Sequence, residues 1–310
     1  MPTTASAARK HRRQLLIALA FLLPNLAGFL AFTLGPVVSS LVLSFFRWDI
    51  LRAPRFVDLD NYLAILGGAD FWTYLFNTLV FMLAVPLGMG VGLALALAVH
   101  GKLRGRLLFR TAFFVPVVCP TVASAMIWAW LYDRDFGLIN QFLGGIGVYP
   151  LLRSAGVAVP FDWLGSPALA KPALILMMVW SGAGYKMLLY LAALAGIPEQ
   201  YYDAARIDGA GRWQQFRHIT WPMLGPTNLF IAVMGAIGAF QVFESIYIMT
   251  GGGPGKATTT LAFEVYTKGF AEFQMGYASS YAWILCLLVF GITMIQWRYA
   301  QRRAHFGALQ

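Results

Sequence analysis

The chain has 310 residues, 59% of them hydrophobic and 12% charged, with a net charge of +10. A mean hydropathy of +0.66, with charge at about half the ~25% usual in soluble domains, excludes a soluble globular fold and leaves a bilayer as the solvent. The basic excess is compatible with nucleic-acid binding only until its position along the chain is read.

Six apolar runs reach the ~20 residues a helix needs to cross a bilayer. After a basic tail, the first runs from Leu15 to Phe46, with Pro24, Gly35 and Pro36 as candidate kinks. It is too long, and lacks the small-residue cleavage site, for a removable signal. An outer stretch, Arg47 to Trp72, leads to the second run, Tyr74 to Val99, whose Gly88, Gly90 and Gly92 suit close helix packing. The third, Leu107 to Leu131, precedes an outer stretch from Tyr132 to Lys171, in which Phe136 to Leu143 reads as a short interfacial helix. A polar insert joins the fourth, Pro172 to Leu194, to the fifth, Met223 to Met249. The sixth, Tyr277 to Trp297, follows a loop that opens on Gly251-Gly252-Gly253-Pro254-Gly255. Trp48, Trp72, Trp130, Tyr132, Trp180, Trp221 and Trp297 mark span ends, as interfacial aromatics do. Cys119 and Cys286 fall within runs and read as small buried hydrophobes.

Charge then fixes the topology. The side that receives both tails, the 2–3 connection and the 4–5 insert carries 14 bases and three acids. The opposite side carries eight bases and nine acids. Basic residues accumulate on the cytoplasmic side, so both termini and the insert are expected there. Topology thus accounts for the basic excess without nucleic acid. The expected organisation is a cytoplasmic tail (1–14), one six-helix membrane domain (15–299) with an inserted loop at about 196–222, and a second cytoplasmic tail (300–310).

The insert is too long for a plain connector. Ile197-Pro198-Glu199 is a helix start, with proline early and an acid in the first turn. Tyr201 to Ile207 are good helix formers, and Gly209 and Gly211 allow a sharp turn. Arg212 to Ile219 can form a second short helix, with Pro222 opening the next span. The expected product is a compact helix–turn–helix knob. Within it, Asp203-Ala204-Ala205, three residues, Gly209, nine residues, then Ile219-Thr220-Trp221-Pro222 resembles the coupling loop of the membrane subunits of ATP-binding-cassette (ABC) importers. That family's pattern has Glu at the place of Asp203 and Leu at that of Trp221. The stretch Met249 to Gly255 with Thr258-Thr259-Thr260 resembles the carbohydrate-importing branch, as do Phe32 to Pro36 and Leu43 to Phe46.

The resemblance implies an all-α membrane protein of the type I importer architecture, a multi-pass protein of the bacterial inner membrane. It implies that Glu199, Tyr202, Asp203, Ala204, Ala205, Asp208, Gly209, Ile219 and Pro222 meet the ATPase, with Asp203 placed to pair with one of its basic groups. The implied partners are a second homologous permease, two copies of a cytoplasmic ATPase, and an external substrate-binding protein. ATP and magnesium would belong to the ATPase. Gly255-Lys256 does not make this chain a nucleotide binder: the phosphate-loop pattern requires a glycine at 250 and Ser or Thr at 257, where Thr and Ala stand.

Lys186 and Glu244 lie inside runs, where charge is costly and usually faces a cavity or a partner. Around them stand Trp180, Gly182 and Tyr185, and Phe240 and Gln241. Aromatic faces with polar groups suit a sugar, and the resemblance places the fourth and fifth spans along the translocation path, with Tyr185 and Gln241 near the substrate. A structural Lys186–Glu244 ion pair, or a snorkelling Lys186, is the competing reading. Among substrates a mono-, di- or short oligosaccharide stands first, and glycerol-3-phosphate or a related phosphodiester second. A proton-coupled secondary transporter using Glu244 and Lys186 as a relay would need no coupling loop. The four histidines show no metal spacing, and no catalytic cluster marks an enzyme.

Overall fold

The computed structural model describes residues 4–101, 105–156 and 158–307. The tails' outer residues and the bases Lys102 and Arg104 lie outside the described residues or side chains. The chain divides into two compact units, residues up to Ile65 with Thr267–Trp283, and Leu66–Tyr266 with the residues from Ile284.

In the first unit, α1 (Thr4–Phe29) passes through Pro24 without a break. A π-helical turn at Leu30–Leu34 follows, and α2 (Gly35–Leu43) completes one continuous apolar rod. Pro36 has no N–H for the Phe32 carbonyl. The register shifts just before it, with the Gly35 amide donating to Leu30 five residues back. A two-stranded hairpin follows, β1 (Phe46–Arg47) against β2 (Arg55–Phe56), and then α3 (Asp60–Gly67). The periodicity gave no sign of these two-residue strands. Asn61 ties the unit together, donating to the carbonyls of Ser44 and Phe46 at 2.9 and 3.0 Å. Ser280 also donates to the Ser44 carbonyl.

The second unit carries most of the spans. α4 (Ala69–Phe81) and α5 (Ala84–His100) form one rod of 32 residues. α6 (Arg106–Val118) and α7 (Thr121–Leu131) meet at 99°. The third apolar run, Leu107 to Leu131, is therefore a bent pair. Cys119, preceding Pro120, is held in an extended conformation (ψ 131°) by the proline ring. α8 (Leu138–Gly145) is the expected outer helix, and α9 (Val148–Ser154) adds a second. Buried Asn140 pins them, donating to the Phe161 carbonyl and accepting from the Tyr149 hydroxyl and the Trp163 indole. α10 (Pro167–Ala195) is a long span packed on α5 and α6.

The insert folds as α11 (Glu199–Ile207), α12 (Arg212–Gln215), a π turn at Phe216–Thr220, and α13 (Trp221–Met223). Pro222 does not open the next span. The helix runs through it, again with a π turn just before the proline, and the 63° bend comes at Leu224. α14 (Gly225–Phe240) then carries Pro226 in its first turn, where no donor is needed. The fifth run breaks once more at Gln241–Phe243, before α15 (Glu244–Met249). α16 (Leu261–Tyr266) follows the glycine-rich loop. A π turn at Thr267–Ala271 leads to α17 (Met275–Gly307), the last long apolar helix.

Among the described residues four helices are long and apolar enough to cross a membrane, and up to six spans result if each bent pair counts as one. Packing bears out two of the three glycines of α5. A methyl on Gly92 would sit 2.6 Å from Lys186 Cβ, and one on Gly88 would sit 2.8 Å from Lys186 Nζ. Gly90 meets nothing within 4 Å. The cysteines are not the buried hydrophobes expected, Cys119 being half-buried at the α6–α7 bend and Cys286 exposed on an apolar face of α17.

Candidate functional site

The insert is rigid for reasons that are local. α11 starts on Pro198 and ends in a Schellman turn. The Gly209 amide donates to the Arg206 carbonyl at 3.1 Å, and the Ala210 amide to the Ala205 carbonyl at 2.8 Å. Gly209 supplies the left-handed conformation this turn requires (φ +76°). The Gln214 side chain then caps α12 by accepting from the Gly211 amide at 2.7 Å. Two further bonds hold the helices against each other: Gln215 Nε2 to the Ala210 carbonyl at 2.9 Å, and the hydroxyls of Tyr202 and Thr220 at 2.9 Å. Ile197 and Phe216 pack on the core cluster built around Leu93, Ala96, Leu194 and Leu224. The knob is thereby fastened to α5, α10 and α14. A cavity of about 430 Å³ opens between it and Leu97.

The outer face of this knob is unusual for a polar loop. Ile207 is 86% exposed and Trp213 69% exposed, with Tyr201 and Trp221 also open. Among the nominated residues, Glu199, Asp203, Ala204, Asp208 and Gly209 lie on the exposed side. Tyr202 and Ile219 are half-buried and act as internal struts. Asp203 does not stand alone, since it forms an ion pair with Arg206 one turn on. A basic group from outside would have to displace Arg206 to reach it. Sequence reading missed Ile207 and Trp213, although two large apolar residues in a polar insert were the available signal.

The intramembrane candidates fall into two groups. On α10, Trp180 is partly exposed and meets Trp128 edge-on at 5.5 Å. Tyr185 is exposed, Gly182 lies under Lys186 Nζ, and the Lys186 stem covers Gly88 and Gly92. In the second group, Phe240 is 1% exposed and belongs to the core, so its ring is not offered to a ligand in this structure. Gln241 and Glu244 are exposed on either side of the helix break. Among the described residues no ion pair joins Lys186 to Glu244.

The glycine-rich loop is held differently. Asn77 of α4, 1% exposed, donates to the carbonyls of Lys256 and Thr259 at 2.9 and 2.8 Å. Thr258, Thr259 and Thr260 are buried, and each hydroxyl donates to a backbone carbonyl. Gly252 (φ +86°) has no room for a side chain beside Thr259. Lys256 pairs with Asp70 at 2.8 Å.

Long apolar helices and two bent helix pairs, with a polar helix–turn–helix insert, mark a multi-pass membrane permease domain. Residues 84–304 match the family described as the binding-protein-dependent transport system inner membrane component, and the chain belongs to it. The chain is 35% identical to the trehalose/maltose transport system permease protein MalF of Thermococcus litoralis, over 92% of this chain and 94% of that protein. It is 32% identical to the sn-glycerol-3-phosphate transport system permease protein UgpA of Yersinia enterocolitica, over 92% and 94%. A bacterial ABC transporter involved in the import of the acidic polysaccharide alginate shares the fold, with a TM-score of 0.80 at 23% identity, covering 96% of this chain and 99% of the other. The fold is that of type I ABC importer permeases.

Proposed function

We propose that this chain is one of two transmembrane subunits of a bacterial importer that carries a mono-, di- or short oligosaccharide across the inner membrane. It spans six times, each bent pair counting as one span. Both termini and the 196–222 loop are cytoplasmic, as the net +11 on that side against −1 on the other supports. The membrane domain covers residues 15–299, between short tails. A second permease completes the pathway, two ATPase copies bind ATP and magnesium and grip the two coupling loops, and an external binding protein delivers the sugar. Closure of the ATPases pulls on the knob and turns the cavity outward, and hydrolysis returns it. This chain itself does no chemistry on nucleotide or substrate.

The observation that carries this reading is the knob: internally bonded, anchored through Ile197 and Phe216, and open at Ile207 and Trp213. A free loop has no reason to be stiff inside and apolar outside, whereas a lever needs both. The test is to isolate the chain with its partners from its native membrane and assay ATPase activity with and without the binding protein and candidate ligands. Sugar-stimulated hydrolysis is expected. A lone chain that supports uptake on an ion gradient would overturn the reading in favour of a secondary transporter. The substrate runner-up is glycerol-3-phosphate, for which the likeness to UgpA speaks. Lys186 is the one base well inside a predicted span, and stimulation by glycerol-3-phosphate alone would assign it to that anion.

A further inference from the structure

The cavity of about 430 Å³ at the knob lies beside the last turn of α5. Its wall joins Leu97 of that helix to Tyr202, Arg212, Gln215, Phe216 and Thr220 of the insert, with Trp213 alongside. Most of the polar groups on this wall are already used. The hydroxyls of Tyr202 and Thr220 bond each other, and the Gln215 amide donates to the Ala210 carbonyl. Arg212 is different. Among the described residues it is the one charged group on the wall, and no carboxylate pairs with it. The acids of the insert stand on α11 or at its end, and Asp203 is taken by Arg206.

Two features around the cavity belong to a membrane surface. Trp213 and Phe216 stack at 5.5 Å, and Trp221 stands 6.3 Å from Phe216. Partly exposed tryptophans collect at the boundary between lipid and water. From the cavity an apolar stripe then runs along α5. Leu83, Leu87, Val91, Ala94 and Leu97 are all exposed and recur every three or four residues, the spacing of one helix face. An unpaired cation on an apolar cavity, at the end of an apolar stripe, suits an anion that carries a hydrocarbon chain.

We propose that this cavity binds an anionic phospholipid of the cytoplasmic leaflet. The lipid phosphate meets the Arg212 guanidinium. The glycerol and the first methylenes fill the space between Leu97 and Phe216, and one acyl chain follows the α5 stripe. Free phosphate leaves the apolar wall wet, and a neutral lipid leaves Arg212 without an anion. Basic pockets on the cytoplasmic side are where acidic headgroups bind, and the choice of leaflet rests on the topology proposed above. Ile207 does not line the cavity, so the lipid leaves that surface to the ATPase.

The complete importer is reconstituted in phosphatidylcholine vesicles that hold, in both leaflets, a phosphatidylglycerol with a photoreactive group early in one acyl chain. After irradiation, label is expected on the segments that contain Leu97 and Phe216. Arg212→Gln should cut that label roughly fivefold, the size of one basic residue's pull on an acidic lipid, while label on α17 stays at the parental level. Leu97→Trp, which fills the cavity, should cut it as far, with the ATPase and the second permease still bound. Equal labelling of the two segments by a phosphatidylcholine probe of the same design overturns the site, as does parental labelling in both variants. Label that appears only after the ATPase is stripped away also overturns it, because the cavity then belongs to that partner in the assembled importer. The probe is read on the protein whatever is imported and from either leaflet. A complex that takes the label but imports no sugar therefore keeps the lipid site and loses only the sugar reading.

Discussion

The coupling knob and the glycine-rich loop are both polar connections, and the protein treats them in opposite ways. In the glycine-rich loop the side chains turn inward. Three threonines bond to backbone, and Asn77, nearly 180 residues earlier in the chain, closes the loop from a neighbouring helix. In the knob, among the described residues, the side-chain hydrogen bonds stay within residues 202–220, and large apolar side chains turn outward. The first loop is finished by its own chain. The second is stiff but uncovered, which is the condition of a surface made for another protein. The same substitution chemistry should therefore cost folding in one loop and coupling in the other.

The largest stability effect is expected at Asn77. Asn77→Leu keeps the volume but removes the buried bond to the Thr259 carbonyl and leaves the Lys256 carbonyl with only the Thr259 amide, at 3.3 Å. An orphaned buried group costs about 1–3 kcal/mol, and a loss of that size is expected, seen as a clear drop in the midpoint of thermal unfolding in detergent. An unchanged midpoint would show that the loop is not fastened through this residue.

In the knob, Gly209→Val should cost about 1–2 kcal/mol, because a side chain at φ +76° is strained. Coupling should suffer far more than stability, since the turn sets the angle between α11 and α12. Asp203→Lys should cost less still in stability, as an exposed ion pair is worth about 0–1 kcal/mol. It should nevertheless abolish sugar-dependent ATPase activity and uptake while membrane insertion stays normal. Normal uptake by Asp203→Lys would sink the coupling role. If Arg206 screens Asp203 until a partner's base replaces it, Arg206→Gln should leave coupling intact.

The contrast also marks what could be read from the chain. The long apolar runs gave the long apolar helices, because a helix crossing lipid must be apolar along most of its length. Gly209 gave the turn, because a left-handed residue has few other solutions. The bends were harder. Pro120 sits at the sharpest one, but Pro24 and Pro222 each lie inside a continuous helix. A proline forces a break only where the preceding turn cannot widen, and the π turns before Pro36 and Pro222 show that widening. The break at Gln241–Phe243 has no proline or glycine within it, and depends on Thr260 from a later segment. Asn77 was invisible for the same reason. A buried amide on an apolar helix announces that it has partners but not which ones. In the fifth run, Phe240 was expected beside Glu244 in the substrate path, and the structure buries that ring.

The smallest effect is expected at the exposed end of the glycine-rich loop. Asp70 hydrogen-bonds the Lys256 ammonium at 2.8 Å and holds its pKa above the ordinary lysine value. A lysine whose pKa is raised by folding stabilises the fold fully below the unfolded value, near 10.4, and loses that contribution as pH climbs through the raised one. The unfolding midpoint of Asp70→Asn should therefore sit slightly below the parent's at neutral pH, and the two should converge as pH rises beyond that value. Both groups are open to water, so added salt should shrink the gap at neutral pH as well. Asn77→Leu should respond to neither pH nor salt, because its missing bonds are buried and uncharged. A gap at Asp70 that survives both treatments would mean that the carboxylate does more for the loop than hold one lysine.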